Sequence, residues 1–281
     1  MIQALQKDDV LLADIESAPD DRLHLWWLGQ SGFLVRHGRD RFLFDPYLSE
    51  TLTQKYAKTD KPHVRMTEQV IDPQRLTGIR AVTSSHAHTD HLDHGSLLPL
   101  REANPGMKLI LPRAIRELTM DRLGDWEEGF CWMNAGESVN CGNICFRAVP
   151  AAHNDLKTDD LGNHYFLGYV VTIGPWSIYF SGDTLPYTGM KEAIGNPVDI
   201  AILPINGNKP ERRVAGNCDG AEAARLAKDI GAETVIPCHY EMFEFNTASP
   251  ELFEESCREL NQPFTRLQAG ERFSYKGRNS S

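Results

Sequence analysis

The chain has 281 residues, of which 41% are hydrophobic, and a formal charge of −10; this length buries a sizeable core, read as one domain over 1–281 with no low-complexity linker. The acidic balance argues against nucleic-acid binding, which calls for a basic face. No apolar run reaches the roughly 18–20 residues that span a bilayer, and 1–22 hold too many acids for a secretory signal, so a cytoplasmic protein without a membrane partner is expected.

Residues 23–45 read as three short strands broken at Gly29, Gly32 and Gly38, a β-meander that ends at Asp45. Asp45 precedes Pro46, and its pattern serves either turn chemistry or an acceptor that orients a ligand histidine. Residues 49–78 are polar without a clear period, which predicts an excursion over the site. Ile79–Ser84 reads as a buried strand and Asp93–Leu100 as the opening of a helix. Met107–Leu111 is a further strand, after which Pro112 starts a helix with Ala114, Ile115, Leu118 and Thr119 on one face. Residues 143–150 and 165–181 supply three strands, the last two joined at Gly174-Pro175, and Val198–Leu203 another. Asp219 and Glu222 form a capping box for a helix ended by Gly231. Thr234–Pro237 is a strand, and Ser249-Pro250 opens a last helix with Leu252, Phe253, Cys257 and Leu260 inward.

Between the strand at 79–84 and its helix lies Ser85-His86-Ala87-His88-Thr89-Asp90-His91. Three imidazoles and a carboxylate within six residues have metal-ligand spacing. The loop stands at the carboxyl end of a strand, where open α/β sheets place ligands. An extended backbone turns His86 and His88 to one side, and Asp90 and His91, coming after the chain has turned, point to a second ion. His153, Asp183 and His239 each follow an apolar strand directly, so each strand can deliver its residue to the same edge. Seven ligands make two sites. The six cysteines contain no Cys-x-x-Cys pair and fit reduced thiols, with Cys238 a structural one beside His239.

The order His-x-His-x-Asp-His, lone His, Asp after Ser-Gly, final His resembles the metallo-β-lactamase-fold hydrolases over about residues 23–245. Trp26-Trp27-Leu28-Gly29 with Ser31-Gly32, His91-Leu92-Asp93 with Ser96, Phe180-Ser181-Gly182-Asp183-Thr184 and Val235-Ile236-Pro237 resemble the branch that contains L-ascorbate-6-phosphate lactonase and, more distantly, N-acyl phosphatidylethanolamine phospholipase D. The resemblance implies an α/β four-layer αβ/βα sandwich, two face-to-face β-sheets with helices outside. It implies that His86, His88 and His153 hold one divalent ion and Asp90, His91 and His239 a second, with Asp183 bridging. It also implies Mn²⁺ or Zn²⁺ as the metal and a lactonase acting on a sugar-derived, phosphorylated lactone such as L-ascorbate 6-phosphate.

Two ions about 3.5–4 Å apart share a water and present hydroxide as the nucleophile. Asp90 and Asp183 are then the catalytic carboxylates, and Asp90 can also move a proton. A small anionic substrate requires local cations. Lys209, Arg212 and Arg213 on the loop after Val198–Leu203 are the candidates, with Asn206, His164, Tyr165, Tyr187 and Tyr240 as walls. A phosphodiesterase, a thioester hydrolase and a metal-free scaffold are the alternatives, and His88 argues against a redox diiron protein. A chain of this size also admits a homo-oligomer.

Overall fold

Strand residues of the first sheet alternate between two cores. Leu23, Leu25, Trp27, Phe33, Val35, Phe42 and Phe44 face one core, and Trp26, Leu28, Leu34 and Leu43 face the other. A period of two with both faces apolar is what a sheet covered on both sides demands. In the computed structural model, which describes residues 1–277, that sheet contains β1 (Leu23–Gly29), β2 (Gly32–His37), β3 (Asp40–Phe44), β4 (Ala81–Thr83), β5 (Lys108–Pro112) and β6 (Phe130–Met133). The second sheet contains β7 (Ser138–Cys141), β8 (Ile144–Pro150), β9 (Leu167–Ile173), β10 (Trp176–Phe180), β11 (Ile200–Pro204) and β12 (Thr234–Cys238). A last strand, β13 (Arg272–Tyr275), returns to the first sheet beside β1, giving the orders β13-β1-β2-β3-β4-β5-β6 and β12-β11-β10-β9-β8-β7.

Helices cover the outer faces. Leu11 and Ile15 of α1 (Asp8–Ser17) and Leu97 and Leu100 of α3 (His94–Ala103) pack on the first sheet, with α2 (Thr51–Tyr56) between them in the chain. Beyond α4 (Arg116–Leu123), the helices α5 (Met190–Ile194), α6 (Gly220–Asp229) and α7 (Glu251–Glu259) put Met190, Ala223, Leu226, Phe253 and Cys257 against the second. This is the four-layer metallo-β-lactamase fold. The capping box is present, with Glu222 N donating to Asp219 Oδ1 at 2.9 Å and Asp219 N to Glu222 Oε2 at 2.9 Å.

Several expectations change. Pro112 closes β5 and the α-helix begins at Arg116, because β5 continues its parallel pairing through Pro112 with Met133. Leu118 and Leu252 are exposed, since the second sheet takes Phe253 and Cys257 instead and α4 turns Leu118 outward. The elements α1, α2, α5, β6, β7 and β13 are additions to the sequence reading. All six cysteines are free thiols, and no described helix is long and apolar enough to cross a membrane.

The pairing of strands positions the site. Strand β4 runs parallel to β3 and β5, and β10, β11 and β12 are mutually parallel, while β8 shares their direction through two antiparallel steps across β9. Their carboxyl ends therefore open at one edge, where the following loops meet.

Candidate metal centre

Seven side chains converge at that edge. Ligand atoms of His86, His88, His153 and Asp183 form one group and those of Asp90, His91 and His239 another, each group within 4.8 Å. Asp183 is the common neighbour: Oδ2 lies 4.0 Å from His86 Nε2, 3.6 Å from His153 Nε2 and 3.3 Å from His239 Nε2, and Oδ1 lies 3.3 Å from His91 Nε2. Asp90 Oδ2 stands 3.4 Å from His239 Nε2 and 3.6 Å from His91 Nε2. His86 and His88 do share a side, with ring centroids 4.5 Å apart, but through a run of bends rather than an extended backbone.

The rings are aimed by what holds their far nitrogens. His153 Nδ1 lies 2.9 Å from Gly216 O, His86 Nδ1 3.0 Å from Ser85 Oγ, and His91 Nδ1 2.7 Å from Asp45 Oδ2. Each bond leaves Nε2 for the centre. Of the two readings of Asp45, the acceptor that orients a histidine is the one realised. Gln30 Nε2 donates to Asp90 Oδ2 at 2.8 Å; the sequence reading passed over this residue inside the Gly29–Gly32 turn. Gln30, Asp45, Asn154 and His239 all take positive φ without being glycine, so backbone strain gathers around the cluster.

The donor set fits divalent cations. His86 Nε2, His91 Nε2 and Asp183 Oδ1 are buried without a hydrogen-bond partner, an arrangement that an ion would satisfy. Burial holds His86 well below its ordinary range and His88 down to about 4, so both present lone pairs at neutral pH. Burial also opposes charge on Asp183, but His239 and His91 outweigh it and keep the carboxyl well below the usual range. Burial pulls His239 down, yet Asp183 and Asp90 lift it to about 9, the response of an imidazole between two carboxylates with no cation to balance them. Cys238, by contrast, is a buried thiol pushed well up by desolvation, as a structural role requires.

Asp183 depends on the glycine before it. Gly182 has φ +58°, and a Cβ there would lie 2.6 Å from Ser85 Cβ and 2.8 Å from Leu167 O. Gly182→Ala is therefore expected to destabilise the protein by about 2 kcal/mol or more, read as a lowered Tm; an unchanged Tm would show that the turn relaxes freely.

Five of the seven side chains, His88, Asp90, His153, Asp183 and His239, line a cleft of about 570 Å³, and its walls differ from those expected. Arg213 borders the cleft, although its Nη2 donates to Asp60 Oδ2 at 2.8 Å. Arg212 instead turns its guanidinium onto the carbonyls of Asn206 and Thr247, bracing a loop whose backbone would otherwise lack partners. Asn206 is buried, bonded to Asn246 and Asn217, and with Lys209 borders a separate hollow beside Asp219. His164 is held by Asn134 Oδ1 at 3.0 Å. Tyr165 lies under Lys157 and Tyr187 donates to Pro150 O at 2.7 Å. Tyr240 is a core residue, stacked on Trp27 at 4.8 Å with its hydroxyl donating to Leu267 O. Lys55, Lys61 and Arg122 take the cationic positions, and Tyr56, Phe243 and Phe245 the aromatic ones. Residues 49–78 do reach the cleft, as a helix and strap forming one wall.

Residues 40–240 match the profile of the beta-lactamase superfamily domain. The chain belongs to the beta-lactamase superfamily. Within it, the chain is 31% identical over 229 residues to a UPF0173 metal-dependent hydrolase of Methanoregula boonei, covering 79% of this chain and 84% of the relative. A UPF0173 metal-dependent hydrolase of Alkaliphilus metalliredigens is 28% identical over 253 residues, 84% of this chain and 93% of that one. At that coverage the chain stands among these metal-dependent hydrolases of the superfamily. Igni18, a metallo hydrolase from Ignicoccus hospitalis, is similar in fold, with a TM-score of 0.65 at 20% identity, over 92% of this chain and all of that one.

Proposed function

We propose that this protein is a metal-dependent lactonase that opens a small anionic lactone, a phosphorylated sugar lactone being the leading case, with two Mn²⁺ or Zn²⁺ ions per chain. The observation that carries the reading is the placement of six candidate ligands around Asp183 at the floor of a small-molecule-sized cleft whose other charged lining residues are all cations, Lys55, Lys61, Arg122 and Arg213. His86, His88 and His153 would hold one ion and Asp90, His91 and His239 the other, with Asp183 between them. When bound, the ions supply Lewis acidity and lower the pKa of a water toward neutrality.

The residues of the chain set the rest. Gln30 donates to Asp90 Oδ2, the same oxygen that faces His91 and His239, and so fixes this carboxylate toward the second group of ligands. Arg122 donates to the carbonyls of Ala87 at 2.7 Å and Leu92 at 3.0 Å, so it fixes the His86–His91 loop while presenting charge to the cleft. Lys55 Nζ reaches Thr89 Oγ1 at 3.4 Å and has no carboxylate partner among the described residues. These cations favour a phosphate or carboxylate on the substrate. Free thiols throughout the chain support a reducing, cytoplasmic setting.

The test is proton release from a panel of phosphorylated and neutral lactones by metal-stripped protein reloaded with Mn²⁺ or Zn²⁺. Metal-dependent opening of the phosphorylated members is expected, and Lys55→Ala should raise KM about tenfold for these alone. Arg212→Ala should lower Tm without that selectivity. No turnover with either ion sinks the lactonase reading, and an equal rise in KM for neutral lactones removes Lys55 from anion binding.

A further inference from the structure

His63 lies outside the ligand set, on the strap that follows α2. Its ring stacks on Tyr56 at 4.2 Å and 18°, and Phe245 and Phe243 approach it edge-on at 4.5 and 5.1 Å. Three aromatic neighbours fix the ring plane. Its Nδ1 lies 3.0 Å from Lys61 O, a carbonyl that can only accept, so Nδ1 carries the proton. The strap itself is tied across the cleft mouth, because Lys61 Nζ donates to Arg213 O at 2.9 Å. The neutral ring therefore faces the cleft that contains Asp90 and His239 with an Nε2 lone pair that no described residue engages.

We propose that His63 is the substrate-positioning residue of this cleft, its Nε2 accepting a hydrogen bond from a hydroxyl of the substrate, so that the preferred substrates are hydroxylated anions rather than bare alkyl ones. The inference rests on the proposed binding of an anion at the ligands and narrows its class. Around it, Lys55, Lys61 and Arg213 take the anionic group, while Tyr56 and Phe245 offer a flat face to the carbon frame. Burial lowers the His63 pKa and outweighs the Lys61 carbonyl and Asp90, which raise it, while the charges of Lys55 and Lys61 add to the lowering, so the ring stays an acceptor.

Calorimetric titration of the manganese-loaded protein with 6-phosphogluconate, and with 6-phosphonohexanoate as a hydroxyl-free counterpart, tests this. Wild-type protein should bind the hydroxylated acid about tenfold more tightly. His63→Phe, which keeps the stacked ring, should reduce that preference to about twofold or less while leaving the affinity for 6-phosphonohexanoate unchanged. His63→Gln, whose amide oxygen reaches close to the position of Nε2, should retain most of it. A wild type that binds neither acid or shows no preference overturns the proposal, and so does a His63→Phe variant that weakens both acids equally. Should the preference hold while no lactone is opened, the lactonase reading falls and His63 keeps its role. Lactone turnover with a KM that His63→Phe leaves unchanged would mean the reverse.

Discussion

Asp183→Asn is expected to lower kcat/KM by about 10³ or more, roughly 4 kcal/mol of transition-state stabilisation, and to reduce the bound metal. The reason is geometric. Four imidazoles, His86, His91, His153 and His239, lie within 4.0 Å of the two carboxylate oxygens, and no other acid in the cluster reaches both ligand groups. An amide of equal size keeps the packing but offers one neutral oxygen and two N–H donors that face lone pairs. Asp183 also offsets the charge that His239 and His91 carry in the metal-free protein, so the variant should show His239 titrating well below about 9. Metal content by mass spectrometry, alongside circular dichroism, separates loss of the site from loss of the fold. A variant that keeps both its ions and its activity would remove Asp183 from the bridging position.

Asp45→Ala should be the most destabilising single change near the site, by about 3–5 kcal/mol. Asp45 is completely buried, and its carboxylate receives Thr83 Oγ1 at 2.6 Å, Ser85 N at 3.0 Å, His91 Nδ1 at 2.7 Å and the Ser85 hydroxyl. Alanine leaves Thr83 Oγ1 and Ser85 N without this acceptor in a space closed to solvent, and leaves His91 Nδ1 only the Ser85 hydroxyl at 3.3 Å. The same change frees the His91 ring to rotate and to exchange tautomers, so metal affinity should fall about 10–100-fold. Asp45→Asn, which retains an acceptor, should recover part of the stability but less of the affinity, because its amide N–H cannot accept from His91. Denaturant unfolding and metal titration read the two effects separately. If Asp45→Ala lowered stability while metal affinity stayed at the wild-type value, the orientation of His91 would have to come from elsewhere.

The candidate ligand set was legible in the chain because each of its parts is local. His86 to His91 form a cluster by spacing alone, and His153, Asp183 and His239 each follow a strand whose apolar run marks it as buried. Since the β8, β10 and β12 ends share one direction, residues at equivalent strand ends must meet.

The cleft wall was another matter. Lys55 on α2 and His63 on the strap after it lie nearly 200 residues from Phe243 and Phe245, and no period or motif says that those segments face each other; only the packing of Tyr47, Leu52, Met242 and Phe243 into one small cluster brings them together. Arg212 shows the limit from the other side. A basic residue on a loop near the site reads as substrate binding, but its direction is set by which nearby carbonyls lack donors, and those of Asn206 and Thr247 become neighbours only after folding. The edge strand β13 was equally hidden, since its partner β1 lies some 250 residues away and the match is one of backbone hydrogen bonds, which carry no side-chain signature. The sequence by itself determined the layers and the cluster of candidate metal-ligating side chains, through periodicity and residue chemistry. The tertiary structure decided the substrate walls, because long-range contacts between irregular segments determine which way their side chains turn.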